Sequence, residues 1–126
     1  MTVLPKGKVK RGEVWEVDFT PQEHPAEPGK RGRPALVIQT ELLNSVGHST
    51  TVVIPTTTDV DMGAQPLRVF IGKVQKPGEK PKDSDLMIDQ IRAIANARFM
   101  GDGPLTVLSM NHMRQVENAL KVIVGQ

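Results

Sequence analysis

The chain has 126 residues, which at about 100–200 residues per domain predicts one domain, and its 16 Lys and Arg against 14 Asp and Glu make it only mildly basic. It contains no Cys, which excludes disulfide bonds, thiolate nucleophiles and Cys-bound zinc. With three Phe, one Trp and no Tyr, recognition of nucleic acid by several stacked aromatic rings is excluded as well.

The first part of the chain predicts a basic arm, a strand and a long loop. Three lysines with Pro and Gly make residues 1–10 a basic N-terminal arm of the single domain formed by residues 1–126. Residues 13–19, EVWEVDF, alternate apolar with acidic side chains, which is typical of a half-buried strand. Residues 20–34 hold so many Pro and Gly that they predict a long exposed loop, and such loops are often functional.

Three more strands are predicted in the middle of the chain. Continuous apolar runs predict buried strands at 35–39 and 50–55, with a connecting turn between them. Residues 67–71, LRVFI, predict a fourth strand whose Leu, Val and Ile share a face. Residues 72–84 combine several lysines with Pro and Gly, so they predict an irregular basic loop.

The last part of the chain holds an ambiguous segment and a clear helix. In residues 86–94, LMIDQIRAI, the isoleucines recur at helical spacing, whereas Leu86 and Ile88 alternate with their neighbours as in a strand. The β-branched content favours a strand. Ser109 can cap a helix whose apolar residues recur every three or four positions as far as Ile123. Five or so antiparallel strands and one helix predict a mainly β protein, a small and partly open barrel.

Metal and cofactor sites have no support in the sequence. His24, His48 and His112 are scattered, and no His or carboxylate pair has the spacing of metal ligands on a regular element. No glycine-rich phosphate loop and no serine nucleophile motif is present. The sequence therefore predicts neither metal nor cofactor. No secretory segment or apolar run of membrane length is found, which predicts a cytoplasmic protein without a membrane partner.

The junction between the long loop and the next strand, KRGRPALVIQ, holds the best candidate for anion binding. Pro34 restricts Arg33 to extended backbone at the mouth of the strand, and a planar guanidinium suits a phosphate because it offers two parallel charge-assisted hydrogen bonds. A surface arginine that merely caps the strand is the alternative. Thr56, Thr57 and Thr58 end the following strand and supply hydroxyls there, although threonine runs are also ordinary at strand edges.

The segment DQIR offers a carboxylate and a second cation. Odd spacing places Asp89 and Arg92 on opposite faces of a strand, whereas Gln90 and Arg92 share a face. Asp89 is therefore a candidate for a site, and Arg92 for support of the other face. A structural ion pair with another strand is the alternative.

These blocks together resemble the MazF/PemK (Kid) toxin family, the endoribonucleases of bacterial toxin–antitoxin pairs. They are RGEVWEVDFTP, GRPALVIQ, VVIPTTT and DQIRAI, followed by the amphipathic helix, and they cover residues 11–124. The resemblance implies a small antiparallel SH3-like barrel of the CcdB/Kid/MazF type with a C-terminal helix. It also implies a homodimer that cuts single-stranded RNA, such as mRNA, at short sequence motifs without a metal, by 2′-OH attack that leaves a cyclic phosphate.

The resemblance carries five catalytic residues onto this chain. The family's arginine before the buried strand falls on Arg33, its threonine on Thr57 and the carboxylate of its DQxR block on Asp89. The histidine and glutamate that some relatives use in the long loop have His24 and Glu27 as their nearest candidates. The loop itself is longer than is usual in the family.

The implied reaction needs a proton acceptor, a proton donor and a cation over the charge that develops on phosphorus. Arg33 fits the cation and is also the candidate for the proton donor, and Thr57 fits the orientation of the phosphate or the 2′-OH by hydrogen bonding. The base stays open between His24 and Asp89. Met87 stands where one branch of the family has an arginine, so the acid–base arrangement of that branch is not carried over.

RNA contacts are expected from the loops on both sides of the strands, from Lys30, Arg31, Thr56, Thr58, Gln90, Lys73, Lys76, Lys80 and Lys82. Lys and Arg number seven in residues 1–33, none in 34–66 and seven in 67–98, a distribution suited to a phosphate-binding groove. An acidic antitoxin protein of the MazE type is the implied inhibitor, because it can occupy the same cationic groove.

Two other functions fit the same sequence. The barrel family includes a relative that poisons DNA gyrase through protein contacts and has no nuclease site. In such a module the exposed residues of the terminal helix form the important surface. The basic loops are also compatible with a single-stranded nucleic-acid binder that cleaves nothing. The pairing of Arg33 with Thr57 favours the nuclease over both.

Overall fold

The structure is a computed structural model that describes residues 8–22, 24–26 and 29–125. Its strands are β1 (Glu13–Asp18), β2 (Arg31–Val37), β3 (Thr50–Thr57), β4 (Arg68–Val74), β5 (Lys82–Met87), β6 (Arg92–Ala95), β7 (Phe99–Met100) and β8 (Thr106–Val107). Its helices are α1 (Glu41–Ser45) and α2 (Met110–Ile123), with single 3₁₀ turns at Ile88–Gln90 and Asn96–Arg98.

All strand pairs are antiparallel and they form one strongly bent sheet. The strand order is β4-β5-β3-β2-β1-β7, with β6 paired to β3 and β8 paired to β1. The first half of β3 pairs with β6 and its end pairs with β5, so this one long strand belongs to both walls of a nearly closed barrel. The prediction of a mainly β, antiparallel barrel with a C-terminal helix is confirmed.

Two apolar clusters lie on opposite faces of the central strands, as alternation along a strand requires. Val14 and Leu36 belong to the cluster that α2 covers with Val116. Trp15 belongs to the other cluster, on the far side of the same strands. Helix α2 begins after Ser109, whose side-chain oxygen accepts a hydrogen bond from the His112 N–H at 3.1 Å and caps the helix as predicted.

Several boundaries differ from the sequence prediction. The loop predicted at 20–34 ends early, because β2 begins at Arg31. Pro34 has no N–H to donate, and it precedes the ladder between β2 and β3, which begins at Ala35. Its carbonyl accepts a hydrogen bond from the Thr56 hydroxyl at 2.8 Å. The predicted turn between the second and third strands contains α1, which Thr40 caps by accepting from the Leu42 N–H. The prediction of five or so strands was too low for the described residues, since eight are formed.

The segment 86–94 is the clearest error of the strand prediction. It comprises the end of β5, the 3₁₀ turn Ile88–Gln90 and most of β6. The chain must turn there because β5 pairs with the end of β3, whereas β6 pairs with its beginning. The basic loop predicted at 72–84 is likewise shorter, because β4 continues to Val74 and β5 starts at Lys82.

Candidate functional site

An open cavity of about 530 Å³, here called the main cleft, lies where β2, β3 and β5 meet the 3₁₀ turn after β5. It is lined by Gln22, Pro25, Ala26, Gly29, Lys30, Arg33, Thr57, Ala64, Leu67, Arg68, Met87, Asp89 and Gln90. Three of the predicted catalytic residues, Arg33, Thr57 and Asp89, therefore share one cavity although they lie far apart in the chain. Of the predicted RNA contacts, Lys30 and Gln90 line it too.

Arg33 is fixed by the backbone that surrounds it. Its Nε donates to the Gly29 carbonyl at 3.0 Å, and its Nη1 donates to the Thr56 carbonyl at 2.8 Å. Partial burial lowers the pKa of the Arg33 guanidinium from its ordinary value, yet an arginine remains charged at neutral pH. The cleft thus contains a permanent cation whose orientation is set before any ligand arrives.

The three threonines at the end of β3 have different surroundings. The Thr56 side chain is buried and its hydroxyl donates to the Pro34 carbonyl, so this hydroxyl is used inside the protein. The Thr57 oxygen accepts from the Asp59 N–H at 3.1 Å, which leaves its own proton able to donate toward the main cleft. Thr58 is exposed and lines a neighbouring cavity.

Asp89 lies in the 3₁₀ turn and is exposed at the wall of the main cleft. Gln90 lines the same cavity, because successive residues of a tight turn need not alternate as they do in a strand. Arg92 does not line the cleft, and its guanidinium lies 5.7 Å from the centre of the Phe19 ring. The expectation that Asp89 faces a site while Arg92 supports another surface is consistent with this placement.

Of the two loop candidates, His24 is among the described residues. His24 is exposed, and its Nδ1 accepts from the Ala26 N–H at 3.0 Å, an arrangement that puts the proton of the neutral ring on Nε2. It is absent from the described lining of the main cleft, although its neighbours Pro25 and Ala26 are part of it. Glu27 lies outside the described residues.

A second cavity of about 180 Å³, here called the basic cleft, adjoins the first and shares Lys30, Arg33 and Thr57 with it. Its other lining residues are Pro34, Thr56, Thr58, Val74, Lys76, Glu79, Lys80, Lys82 and Ser84. Repulsion from Lys76 is the largest cause of a lowered pKa at Lys30, followed by burial and the charge of Arg33. The cations are therefore close enough to repel one another, and together they favour an anion.

Two predicted RNA contacts lie elsewhere. Arg31 is exposed and its Nη1 is 3.9 Å from the Asp18 carboxylate, while Lys73 pairs with Asp83 at 3.2 Å. Neither residue lines the main cleft or the basic cleft. Their contact with RNA stays a prediction.

Comparison with known proteins identifies the family. A family model of the PemK-like, MazF-like toxins of type II toxin–antitoxin systems matches residues 10–124. The chain belongs to this family. The resemblance found in the sequence blocks is thereby confirmed.

Solved structures show the same fold as this toxin. MazF from Deinococcus radiodurans is 20% identical with a TM-score of 0.69, over 94% of this chain and 97% of that chain. An endoribonuclease from a mycobacterial species is 17% identical with a TM-score of 0.66, over 94% and 92% of the two chains. A mycobacterial endoribonuclease in complex with its cognate antitoxin is also 17% identical, with a TM-score of 0.63 over 94% of each chain.

Sequence reasoning missed a second arginine in the toxin's main cleft, Arg68. It lies at the start of β4, and its Nη1 donates to the Asp59 carbonyl at 2.9 Å and is 3.5 Å from Oδ2 of Asp85. A signal was present, since Arg68 directly precedes Val69, which is buried in the core, so that alternation along β4 points Arg68 to the opposite face. That face is the one that lines the cleft.

The described part of the toxin holds no group of three or more His, Asp or Glu side chains placed to bind a metal ion. The absence of a metal requirement stays a prediction about the reaction. None of the helices in the described ranges is both long enough and apolar enough to span a bilayer.

Proposed function

We propose that this toxin is a metal-independent, sequence-specific endoribonuclease that cleaves single-stranded RNA, including mRNA. In this reaction a base takes the proton of a ribose 2′-OH as its oxygen attacks the adjacent phosphorus, and the bond to the 5′ oxygen of the next nucleotide breaks. The departing 5′ oxygen takes up a proton, for which Arg33 is the candidate donor, so that a cyclic phosphate and a 5′-hydroxyl remain. The observation that supports the proposal is the meeting of Arg33, Thr57 and Asp89 in one open cleft. The family's membership in toxin–antitoxin systems and the endoribonucleases among its structural neighbours support it further.

In the proposed mechanism Arg33 stabilises the negative charge that grows on the phosphoryl oxygens. Its two carbonyl contacts fix the guanidinium in advance, so little reorganisation is needed in the transition state. Thr57 orients the phosphate or the 2′-OH with a hydroxyl whose oxygen is already fixed by the Asp59 N–H. A free threonine hydroxyl is far too weak a base to remove the 2′-OH proton unless a neighbouring group takes its own proton.

A base must remove the 2′-OH proton. Asp89 has the better placement of the two candidates, because it lines the main cleft whereas His24 does not. His24 stays a candidate because imidazole is the commonest general base in proteins, and Glu27 remains a candidate partner from the same loop.

RNA affinity is proposed to come from the basic cleft. Lys30, Lys76, Lys80 and Lys82 surround it, and Thr58 adds a hydroxyl. Gln90 offers an amide to a base edge in the main cleft, whereas the predicted contact from Thr56 is not part of the proposal, because its buried hydroxyl donates to the Pro34 carbonyl. With few aromatic side chains in the chain, sequence choice rests on hydrogen bonds to splayed bases.

The proposed partners follow from the same surface. Several neighbours were solved as MazE–MazF complexes, including two from Deinococcus radiodurans that cover 94% of this chain. We propose that an acidic antitoxin of this type neutralises the cationic clefts and excludes RNA. We further propose that the toxin acts as a homodimer in the cytoplasm.

The test is cleavage of a long RNA of defined sequence in EDTA, with the new 5′ ends mapped and the 3′ ends examined for a cyclic phosphate. Discrete cuts are expected. Protection of the RNA without cleavage would instead indicate a nucleic-acid binder, and neither effect would favour a protein-binding module of the gyrase-poison type.

Arg33→Ala tests the mechanism within this experiment. Loss of a preorganised charge donor slows such reactions by about 10²–10³-fold, so we expect a decrease of that size in the single-turnover rate. Arg114→Ala is the matched control, because Arg114 is exposed on α2 and lines neither cleft. Cleavage by Arg33→Ala within about tenfold of the wild-type rate would remove the assignment.

A further inference from the structure

We propose that Arg68 supplies the main cleft with a second guanidinium for the reacting phosphate, and that the buried carboxylate of Asp85 positions it. The proposal rests on the proposed nuclease function and adds a catalytic residue and a positioning residue to it. It is carried by the register of β3, β4 and β5, by the burial of Asp85 and by the lining of the cleft.

The strand register places Arg68 on the wall of the cleft. Arg68 is paired with Met87 across β4 and β5, and Thr57 is paired with Asp85 across β3 and β5. Directly opposite residues of antiparallel strands point to the same face, and so do residues two apart in one strand. Arg68, Met87 and Thr57 line the main cleft, while Asp85 lies buried beside them.

Asp85 is an unusual residue for a strand interior. It is 1% exposed, its Oδ2 accepts from the Asp61 N–H at 2.7 Å, and its Oδ1 is buried with no hydrogen-bond partner in the described part of the chain. A buried carboxylate with an unpartnered oxygen costs stability, and an apolar residue would avoid that cost. The charge has one clear consequence here, because it attracts the guanidinium of Arg68 at 3.5 Å.

One nitrogen of the Arg68 guanidinium contacts the protein, and the side chain lines the main cleft. Its hydrogen bond to a described residue, the Asp59 carbonyl, uses Nη1, and this is also the nitrogen nearest to Asp85. The Arg68 side chain is 24% exposed and lines the same cleft as Arg33, whose strand β2 is separated from β4 by β5 and β3. Two cations that reach one cleft from different strands can each contact a non-bridging oxygen of one phosphate.

The alternative is that Arg68 only fastens the loop after β3 to the sheet. In that case its removal lowers thermal stability but leaves the rate constant of the folded protein unchanged. If Arg68 is catalytic, its removal slows the chemical step even at temperatures where the variant is folded. Kinetics and unfolding measurements on the same proteins therefore separate the two roles.

The experiment uses a short RNA that contains a mapped cleavage site, and the same oligonucleotide with a 2′-deoxy nucleotide at that site as a probe of binding alone. Arg68→Ala is expected to lower the single-turnover rate by about 10²-fold while changing the affinity for the 2′-deoxy probe by less than about threefold. Arg68→Lys retains the charge without the planar guanidinium, and its single-turnover rate is expected to lie between those of wild type and Arg68→Ala. Arg114→Ala again serves as the control.

Asp85→Asn tests the positioning role. It keeps the side-chain size and removes the charge, and we expect a rate about tenfold below wild type. Because Asp85 acts through Arg68, the same substitution in the Arg68→Ala background is expected to cause no further decrease. Thermal unfolding of each protein establishes the temperature at which all of them are folded.

Three results would overturn the inference. Arg68→Ala that cleaves within about threefold of wild type removes the catalytic role, and Arg68→Lys decides the point if the alanine variant does not fold. Equal slowing by Asp85→Asn in both backgrounds removes the positioning role. If the wild-type protein cuts no RNA, the proposed function fails and this inference fails with it, whereas a cutting wild type with a fully active Arg68→Ala rejects this inference alone.

Discussion

Individual residues show how differently a buried charge can be used in this toxin. Asp18 and Asp85 are the buried carboxylates of the described residues. Asp18 accepts from both the hydroxyl and the N–H of Thr20, so its charge stabilises the point where the long loop leaves β1. Asp85 keeps an oxygen without a partner beside the main cleft. Hydrogen bonding accounts for the charge of Asp18, whereas the unpartnered oxygen of Asp85 calls for a further explanation.

The Asp18 contacts predict a pH-dependent stability. Hydrogen bonds from the Thr20 side chain and backbone, together with the charge of Arg31, hold the pKa of Asp18 below its ordinary value. A carboxylate whose pKa is lower in the folded state contributes stability above its unfolded pKa, near 3.9, and loses that contribution as the pH falls through the folded pKa. We therefore expect Asp18→Asn to be less stable than wild type near pH 7 and the difference to shrink in acid.

Urea unfolding of both proteins between pH 7 and pH 2.5 measures this difference. Asp83→Asn is the matched control, because Asp83 is half exposed and pairs with Lys73 at the surface, where an ion pair contributes little. A stability difference between wild type and Asp18→Asn that stays constant over the whole pH range would contradict the linkage. A difference of the same size in Asp83→Asn would show that it is not specific to the Thr20 contacts.

Sequence reasoning found the site residues that can be recognised from their immediate neighbours in the chain. Arg33 precedes a proline at a strand entrance, and Thr57 ends an apolar strand, so both stand out without a structure. Arg68 and Asp85 could not be paired in this way, because they meet only through the register of β4 and β5. A register depends on long-range strand pairing, and a single sequence does not contain it.

Secondary-structure elements explain where the sequence pattern failed. The prediction of one strand over 86–94 was wrong in its middle. β5 and β6 pair with opposite ends of β3, and the chain passes from one to the other through the turn Ile88–Gln90. The turn is also what lets Asp89 and Gln90 face one cleft together. Helix α2 was predicted well, since its apolar spacing and its Ser109 cap are both local signals.

The packing of α2 predicts that the same Val→Ala substitution lowers stability at a buried position of the helix and not at an exposed one. Val116 is fully buried in the cluster that the helix covers, whereas Val122 is 59% exposed on the same helix. Removing two buried methyl groups and leaving a cavity should lower the free energy of unfolding by about 2 kcal/mol for Val116→Ala.

Val122→Ala is the control, because it makes the same substitution in the same helix and should stay within about 0.5 kcal/mol of wild type. Urea unfolding at one fixed protein concentration gives the comparison, since any association of the folded chains would add stability that depends on concentration. Equal losses in the two variants would mean that α2 does not pack on the barrel through the Val116 face.

At the scale of the whole molecule, a net charge of +2 conceals a strongly uneven distribution. The cation-free segment 34–66 supplies β3 and the threonines of the site, while lysines and arginines from the flanking segments surround them. The lowered pKa of Lys30, caused first by Lys76, shows that the fold brings these charges together. Such a field raises the local concentration of an anionic strand and is screened by salt.

We therefore expect RNA binding to weaken as the salt concentration rises, and we expect the loss of one lysine from the basic cleft to reduce this dependence measurably. Each phosphate contact on a single strand contributes about 0.7 to the slope of log affinity against log salt concentration. Lys80 is exposed and lines the basic cleft, so Lys80→Ala should weaken binding of a 2′-deoxy-blocked RNA and reduce the slope by about that amount. Lys121→Ala, on the exposed face of α2, should leave both the affinity and the slope unchanged. Fluorescence anisotropy over a range of salt concentrations measures both quantities, and a Lys80→Ala slope equal to wild type would place the RNA path away from the basic cleft.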